Sequence, residues 1–545
     1  MIDWKKVHAI PPEWRGRQFA KFLRPPTHTR KNSPYKITQD YLSTALPLGA
    51  LTLGEKEVSE NAGLMSYSSD DHLLTIAPSR AGKGTSQIIP TLLTYEGSTM
   101  VIDIKGENHA ITGKHRANIK KGAKVFKFAP FENDTMKFNP LDYIHGQAGD
   151  PDSHKLAYDD CVFLSELMIP GQSGNESFWV TDARNLLAAI LLHVKTSPEY
   201  SEGGNMAAVC KVFSNPLGLK ARLDEIIDTA QERDHNELVM TLLGMFAAYE
   251  DKVLKSVQST AVSELRCWFS EPVQNATERS NFNFLQLKKS MLDDDAPTTV
   301  YIVFPPEHVR GSKNLLRTIV GISIFSMLRD KRRPKAPVLY LLDEFPSLGY
   351  MPAVLDGLAY LAGYGVQFWT FAQTIGQLRA IYGEAWQTFT ASAGMFSAFN
   401  INDIETSEYI ARLLGKTDEY NQKYSVVEPK PEKRNRKYFE NEYQKMRDGY
   451  QGADPSQGLT ADNEKIDQIL KEEGWETLGH NEYERMVDKE ITRHRFTSDE
   501  IGPPNMVRQL GDRFSLVFIK GTKPALIRKI NYYNVPNFKG RTGKW

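Results

Sequence analysis

Cysteine is nearly missing from these 545 residues: Cys161, Cys210 and Cys267 stand far apart and form no CxxC pattern. That excludes a disulfide framework and a cysteine zinc site, and it suits a reducing cytoplasm. Long apolar runs are missing too. The longest candidates, Leu186 to Val194 and Ala45 to Leu53, fall short of the roughly 18 residues that a membrane-spanning helix requires. No secretory leader is visible at the start, so the sequence predicts no transmembrane segment. Net charge is also absent, because 67 basic residues balance 67 acidic ones and exert no general pull on nucleic acid. The charge is unevenly spread. Residues 1–36 carry Lys5, Lys6, Arg15, Arg17, Lys21, Arg24, Arg30, Lys31 and Lys36 against Asp3 and Glu13. Such an arm suits contact with phosphates or anionic lipid headgroups, and equally a plain solvated terminus.

What is present is a change of texture along the chain. Residues 1–50 read as irregular, interrupted by Pro11-Pro12, Pro25-Pro26 and Pro34. Within 51–146, HLLTIAP, SQIIPTLLTY, STMVIDIKG, ENHAITGKHRANIKKG and KVFKFAPF alternate as strand and helix. That rhythm predicts an α/β class domain with a mostly parallel central sheet. Over 147–290 the strand signals vanish. Segments such as FWVTDARNLLAAILLHVK repeat apolar residues every three to four positions, which predicts an inserted all-α domain. The core resumes over 291–417 with TTVYIVFPP, VLYLLDEF and VQFWTFAQ. Residues 418–495 are charged and Tyr-rich, an accessory insertion of surface helices and loops. Residues 496–545 return to the core through FSLVFIKG and ALIRKINYY.

Two segments carry the chemistry. TIAPSRAGKGTSQIIPTLL, from Thr75, reads as strand, small-residue loop and helix, with Gly82-Lys83 in the loop. It departs from GxxxxGK[ST] twice, with Ala77 at the first glycine position and Gly84 at the hydroxyl position. As a phosphate loop it spans Ser79, Arg80, Ala81, Gly82, Lys83, Gly84, Thr85 and Ser86. Backbone N–H groups and a helix N-terminus hold phosphates, and Lys83 neutralises the terminal ones. Thr85 or Ser86 supplies the hydroxyl that faces Mg²⁺. VLYLLDEFPSLG is an apolar strand ending in Asp343 and Glu344. There Asp343 binds Mg²⁺ and Glu344 polarises the attacking water. Gln373, ending FWTFAQ, is placed to sense the γ-phosphate. Alone, the first segment could be a Gly-rich turn and the second a pair of solvated acids. Together they favour an NTPase. Asp103 and Lys105, at another strand end, are expected beside the phosphate loop, lining the site or pairing to hold the loop.

The ordered blocks APSRAGKG, IIPTLL, VIDIKGE, FNPLDYI, FWVTDARNLLAAILLHV, LLDEFPSLG, AQTIGQLRAIYG and FNINDIETSEYIARLLGKT closely resemble the type IV secretion coupling proteins of the TraG/TraD (VirD-type) class. The resemblance covers roughly residues 73–418 and 495–540, and the GKG form of the loop occurs in that class. It implies a RecA-like P-loop NTPase core interrupted by an all-α domain that recognises DNA and its processing complex. It also implies a homo-hexameric, DNA-translocating ATPase that uses ATP and Mg²⁺ at the cytoplasmic face of the inner membrane. The partners implied are single-stranded DNA with its relaxase, or effector proteins, and the components of the secretion channel. Lys83, Asp343, Glu344 and Gln373 fall on the motor positions of that class. Typical members begin with transmembrane helices, so membrane contact here is expected through a partner or the basic arm. The arginine that some members place before the Gln strand is replaced by Ala362-Gly363, leaving Arg317, Arg379 and Arg80 as candidates. Two other readings compete. One is a cytoplasmic double-stranded DNA pump of the FtsK/HerA kind, and the other a nucleotide-binding cargo adaptor without turnover.

Overall fold

The computed structural model describes residues 35–38, 46–51, 64–146, 156–171, 178–200, 204–232, 237–415, 502–534, 538 and 540–543. Most of the basic arm and the whole 418–495 insertion lie outside the described residues. The chain divides into two compact units, residues 1–407 with 508–545, and residues 408–507. The first unit holds a twelve-stranded sheet in the order β1-β3-β2-β12-β11-β10-β4-β9-β8-β5-β7-β6.

Seven of these strands run parallel: β10 (Ala393–Ala398), β4 (His72–Ile76), β9 (Val366–Ala372), β8 (Val338–Leu342), β5 (Thr99–Ile102), β7 (Thr298–Ile302) and β6 (Lys124–Phe128). β4, β5, β7, β8 and β9 are buried at every position. Continuous apolar runs such as VLYLL and VQFWTFA suit a parallel sheet covered on both faces by crossover helices. The remaining strands, β1 (Tyr35–Thr38), β2 (Leu46–Leu51), β3 (Leu64–Tyr67), β11 (Phe514–Ile519) and β12 (Ala525–Arg528), extend the β10 edge in antiparallel fashion. The expectation that residues 1–50 are irregular is therefore corrected: Tyr35–Thr38 and Leu46–Leu51 join the sheet. β2 was hard to read because Pro47 and Gly49 flank a register shift in its pairing with β3, a bulge that breaks the apolar alternation.

Between β6 and β7 the described residues contain no strand. The chain leaves the sheet through a turn in which the Asn139 side chain accepts from Leu141 N at 3.1 Å and donates to Gly204 O at 2.8 Å. It then forms α3 (Ala157–Met168), α4 (Phe178–Thr196), α5 (Met206–Phe213), α6 (Leu219–Glu232), α7 (Glu237–Ala247), α8 (Asp251–Glu264), α9 (Glu271–Ala276) and α10 (Gln286–Asp293); α1 (Ile89–Thr94) and α2 (Glu107–Arg116) precede them. The apolar run Leu186 to Val194 is buried inside α4, so its hydrophobicity serves a helical core. Among the described residues no helix is long and apolar enough to cross a membrane. The three cysteines are free and buried.

The helix α11 (Lys313–Leu328) ties this insertion to the sheet. A Cβ on Gly321 would stand 2.5 and 2.6 Å from the Leu167 methyl groups, so glycine permits the close approach of α11 to α3. At its start, Asn314 Nδ2 donates to Glu264 O at 2.6 Å and to Glu264 Oε2 at 2.7 Å, gripping the end of α8.

Candidate nucleotide site

The strand order puts the ends of β4, β9 and β8 side by side. β4 runs into the Gly82-Lys83 loop, β9 into Gln373 and β8 into Asp343-Glu344. In an open parallel sheet the carboxyl ends of the strands are where ligands bind. The loop is pinned to its neighbour at the root, where Ala77 N donates to Ala372 O at 2.9 Å. Beneath it lies a buried polar knot. The Thr75 hydroxyl meets Gln87 Oε1 at 3.0 Å and Ser397 Oγ at 2.7 Å, and accepts from Trp369 Nε1 at 2.9 Å. Gln87 Nε2 completes the knot on Ser397 Oγ at 3.0 Å.

The loop then turns through left-handed backbone at Arg80 (φ 62°) and Gly82 (φ 92°). A Cβ on Gly82 would lie 3.2 Å from Thr85 Oγ1, so both the conformation and the space favour glycine there. Gly84 is not under that constraint, since nothing lies within 4 Å of its missing Cβ. The helix begins as a π-turn over Gly84–Ile88 and tightens to α1. Pro90 explains the widening, because it has no N–H to return to Ser86. The backbone N–H groups of Gly82, Lys83, Gly84 and Thr85 donate to no acceptor among the described residues. Four consecutive free donors at a helix start form a cradle for an anion.

Lys83 is buried and lies across this cradle. Its Nζ donates to Ala77 O at 2.9 Å and Pro78 O at 3.4 Å and lies 3.6 Å from Glu344 Oε1. The other oxygen of Glu344 accepts from Gln373 Nε2 at 2.9 Å. One carboxylate thus joins residues from all three strand ends. Glu344 itself has φ 49°, an unfavourable backbone for a side-chain-bearing residue. Four described non-glycine residues have positive φ, and three of them, Arg80, Glu344 and Asn400, stand at this edge of the sheet. Such strain persists where surrounding structure enforces it, and it clusters at functional sites. Asp343 Oδ1 accepts from Glu344 N at 3.0 Å. Burial, and then the neighbouring Glu344, raise the Asp343 pKa to about 7, against the opposing influence of Lys83. A bound cation would relieve both costs.

The other expected residues are placed as follows. Ser79 and Arg80 are exposed on the loop, while Ala81 and Ser86 are buried in it. Ser86 Oγ is turned inward to Gly82 O at 2.7 Å. Thr85 Oγ1 reaches Gly82 O at 3.2 Å and Asn531 Oδ1 at 3.1 Å, so two protein groups fix its hydroxyl on the loop. The expectation that Asp103 lies beside the phosphate loop is corrected. β9 and β8 separate β5 from β4, and Asp103 accepts from Asn108 N, Asn108 Nδ2 and His109 N at 3.2, 3.2 and 2.8 Å. It caps the start of α2. Arg317 is 6% exposed and enclosed by its own chain. Arg379 is paired with Glu405 at 2.8 Å on the surface. The residues that sequence reading missed are Lys529 and Asn531, which meet the loop from the far end of the chain, and Asn400, which accepts from Lys529. Lys529 Nζ donates to Ala81 O across 448 positions, and no local pattern reports a contact of that range.

Among the described residues no group of three or more His, Cys, Asp or Glu side chains could hold a metal ion. The donor set present, one or two carboxylates with a nearby hydroxyl, suits a hard cation that takes its other oxygens from phosphate and water.

Comparison with known proteins gives a consistent result. The family described as "Type IV secretory system Conjugative DNA transfer" matches over residues 30–446. A conjugal transfer protein TraG of Escherichia coli is 30% identical over 388 residues, 68% of this chain and 59% of TraG. Protein VirD4 of Rhizobium rhizogenes is 28% identical over 473 residues, 85% of this chain and 58% of VirD4. The chain thus spans less than two thirds of the length of either relative. Among solved structures, the conjugative coupling protein TrwB lacking its N-terminal segment, in complex with sulphate, matches with TM-score 0.55 at 14% identity, over 85% of this chain and 86% of that one. TrwB in complex with ADP and Mg²⁺ matches with the same score, identity and coverage. At that identity the likeness establishes the fold alone, a RecA-like α/β core with a mostly parallel central sheet.

Proposed function

This chain belongs to the type IV secretory system conjugative DNA transfer family, and from that premise we propose that it is the ATP-driven coupling protein of such a system. In this reading it recruits relaxase-bound single-stranded DNA or an effector protein and delivers it to the secretion channel. The observation that carries the reading is the convergence of Lys83, Glu344 and Gln373 from three neighbouring strand ends. The TrwB complexes with ADP and Mg²⁺ and with a non-hydrolysable ATP analogue support ATP and Mg²⁺ as ligands here.

The N–H groups of residues 82–85 and the Lys83 ammonium receive the phosphates, Lys83 exchanging the carbonyls of Ala77 and Pro78 for ligand oxygens. Asp343 and the Thr85 hydroxyl would hold Mg²⁺, which when bound neutralises charge on the phosphate oxygens. Glu344 then accepts the proton of the attacking water as that oxygen bonds to the γ-phosphorus and the β–γ bridge breaks. Gln373 keeps the Glu344 carboxylate aimed. The segment between β6 and β7 is assigned to DNA and its processing complex, and the functional form to a homo-hexamer at the inner membrane, reached through a partner or the basic arm.

Purified full chain, assayed for ATP hydrolysis with single-stranded and with duplex DNA, tests this assignment. Stimulation by the single strand is expected. Stimulation by duplex alone would replace it with a duplex pump, and no turnover under any condition would leave a cargo adaptor.

A further inference from the structure

Two lysines flank the phosphate loop, and only one belongs to it. Lys529 follows β12, whose end the antiparallel pairing with β11 returns to the nucleotide edge of the sheet. Its Nζ donates to Ala81 O at 2.8 Å and to Asn400 Oδ1 at 3.2 Å, and lies 4.5 Å from the centre of the Phe399 ring. Two residues further on, Asn531 Oδ1 accepts the Thr85 hydroxyl at 3.1 Å. The C-terminal return therefore holds the loop on both sides of Gly82, and a Cβ there would come within 4.0 Å of the Lys529 ammonium.

The charge is what a purely mechanical clamp does not need. Among the described residues every close partner of Lys529 is neutral, a carbonyl, an amide oxygen and an aromatic face, and the Asp512 carboxylate acts on it only from beyond ion-pair range. Lys83, by contrast, has Glu344 at 3.6 Å. A half-buried ammonium with no carboxylate in ion-pair range is a cost to the fold unless an anion arrives. Desolvation accordingly lowers the Lys529 pKa to about 8, against the opposing influence of Asp512. The anion that this edge of the sheet is built to receive is the phosphate chain held by the N–H groups of residues 82–85. We propose that Lys529 is a second phosphate-binding cation of the nucleotide site, delivered by the C-terminal return and positioned by the Asn531–Thr85 contact. The proposal rests on the phosphate-loop reading above.

Equilibrium binding of a fluorescent ADP to the full chain tests it without recourse to turnover. Lys529→Gln keeps donors for Ala81 and Asn400 but removes the charge, and is expected to weaken binding about tenfold or more. Lys529→Arg keeps the charge and should stay within about threefold of the wild type. A mechanical clamp predicts the reverse order, and that result overturns the inference. Lys83→Ala separates the two claims. If it abolishes ADP binding while Lys529→Gln leaves it unchanged, Lys529 is not a ligand contact and the phosphate loop stands. If neither variant weakens binding, the phosphate-loop reading has failed with it. Wild-type protein gives a measurement that does not depend on a variant folding: ADP should slow acylation of Lys529, followed by mass spectrometry. An unchanged rate counts against the proposal.

Discussion

Truncating Gln373 to alanine removes one hydrogen bond from the site and little else. Its Nε2 donates to Glu344 Oε2 at 2.9 Å, while its backbone N–H is held separately by Gln377 Oε1 at 3.0 Å. The main chain at the end of β9 should therefore stay in place. A hydrogen bond to a charged acceptor is worth about 1.5–3 kcal/mol. If that energy serves to aim the Glu344 carboxylate, kcat falls by about one to two decades, at about 1.4 kcal/mol per decade. Nucleotide affinity should change by less than about threefold, because the phosphates are held by the N–H groups of residues 82–85 and not by the amide. Gln373→Glu should be slower still, since it sets a second carboxylate against Glu344. Steady-state turnover, together with equilibrium binding of a non-hydrolysable analogue, separates the two effects. A kcat within a factor of two of wild type, or a loss confined to affinity, would refute the positioning role.

Other consequences follow from the buried polar groups. Thr75→Val strands the Trp369 indole N–H and the Gln87 carbonyl, two buried orphans at about 1–3 kcal/mol each. Urea unfolding should show a loss of about 4 kcal/mol, and a loss below about 1 kcal/mol would dissolve the knot as a structural unit. His72 is 2% exposed, and burial lowers its pKa to about 4. The folded state therefore keeps it neutral, and stability present above the unfolded pKa of 6.5 is lost as pH falls toward 4. The stability difference between wild type and His72→Asn should shrink by about 2 kcal/mol from pH 7.5 to 5. A difference that stays flat contradicts the shift. Lys83→Ala should weaken ATP binding by at least about tenfold, measured by calorimetry, because a desolvated ammonium–phosphate contact is lost.

The sequence disclosed those parts of the site whose signals are local. Strand, small-residue loop and helix at Thr75 to Leu93 announce themselves by composition, and so do the apolar strands that end in Asp343-Glu344 and Gln373. Their adjacency was not readable, since strand order depends on crossovers many residues long. That is why Asp103, an equally convincing acid at a strand end, turns out to cap α2 at the end of β5, separated from the loop's strand β4 by β9 and β8. Tyr35–Thr38 and Leu46–Leu51 escaped notice because short strands interrupted by Pro47 and Gly49 carry no clean alternation. Lys529 and Asn531 escaped because their partners, Ala81 and Thr85, lie at the other end of the chain. The free donors of the loop, by contrast, follow from Gly82 and the helix start alone.

The central claim is that Glu344 activates water against a phosphate chain held by the Lys83 loop. Turnover of ATP by Glu344→Gln, with analogue binding measured on the same protein, tests it most directly. Loss of the general base should slow hydrolysis by about 10²–10⁴-fold while binding persists. Turnover equal to that of the wild type would contradict the account.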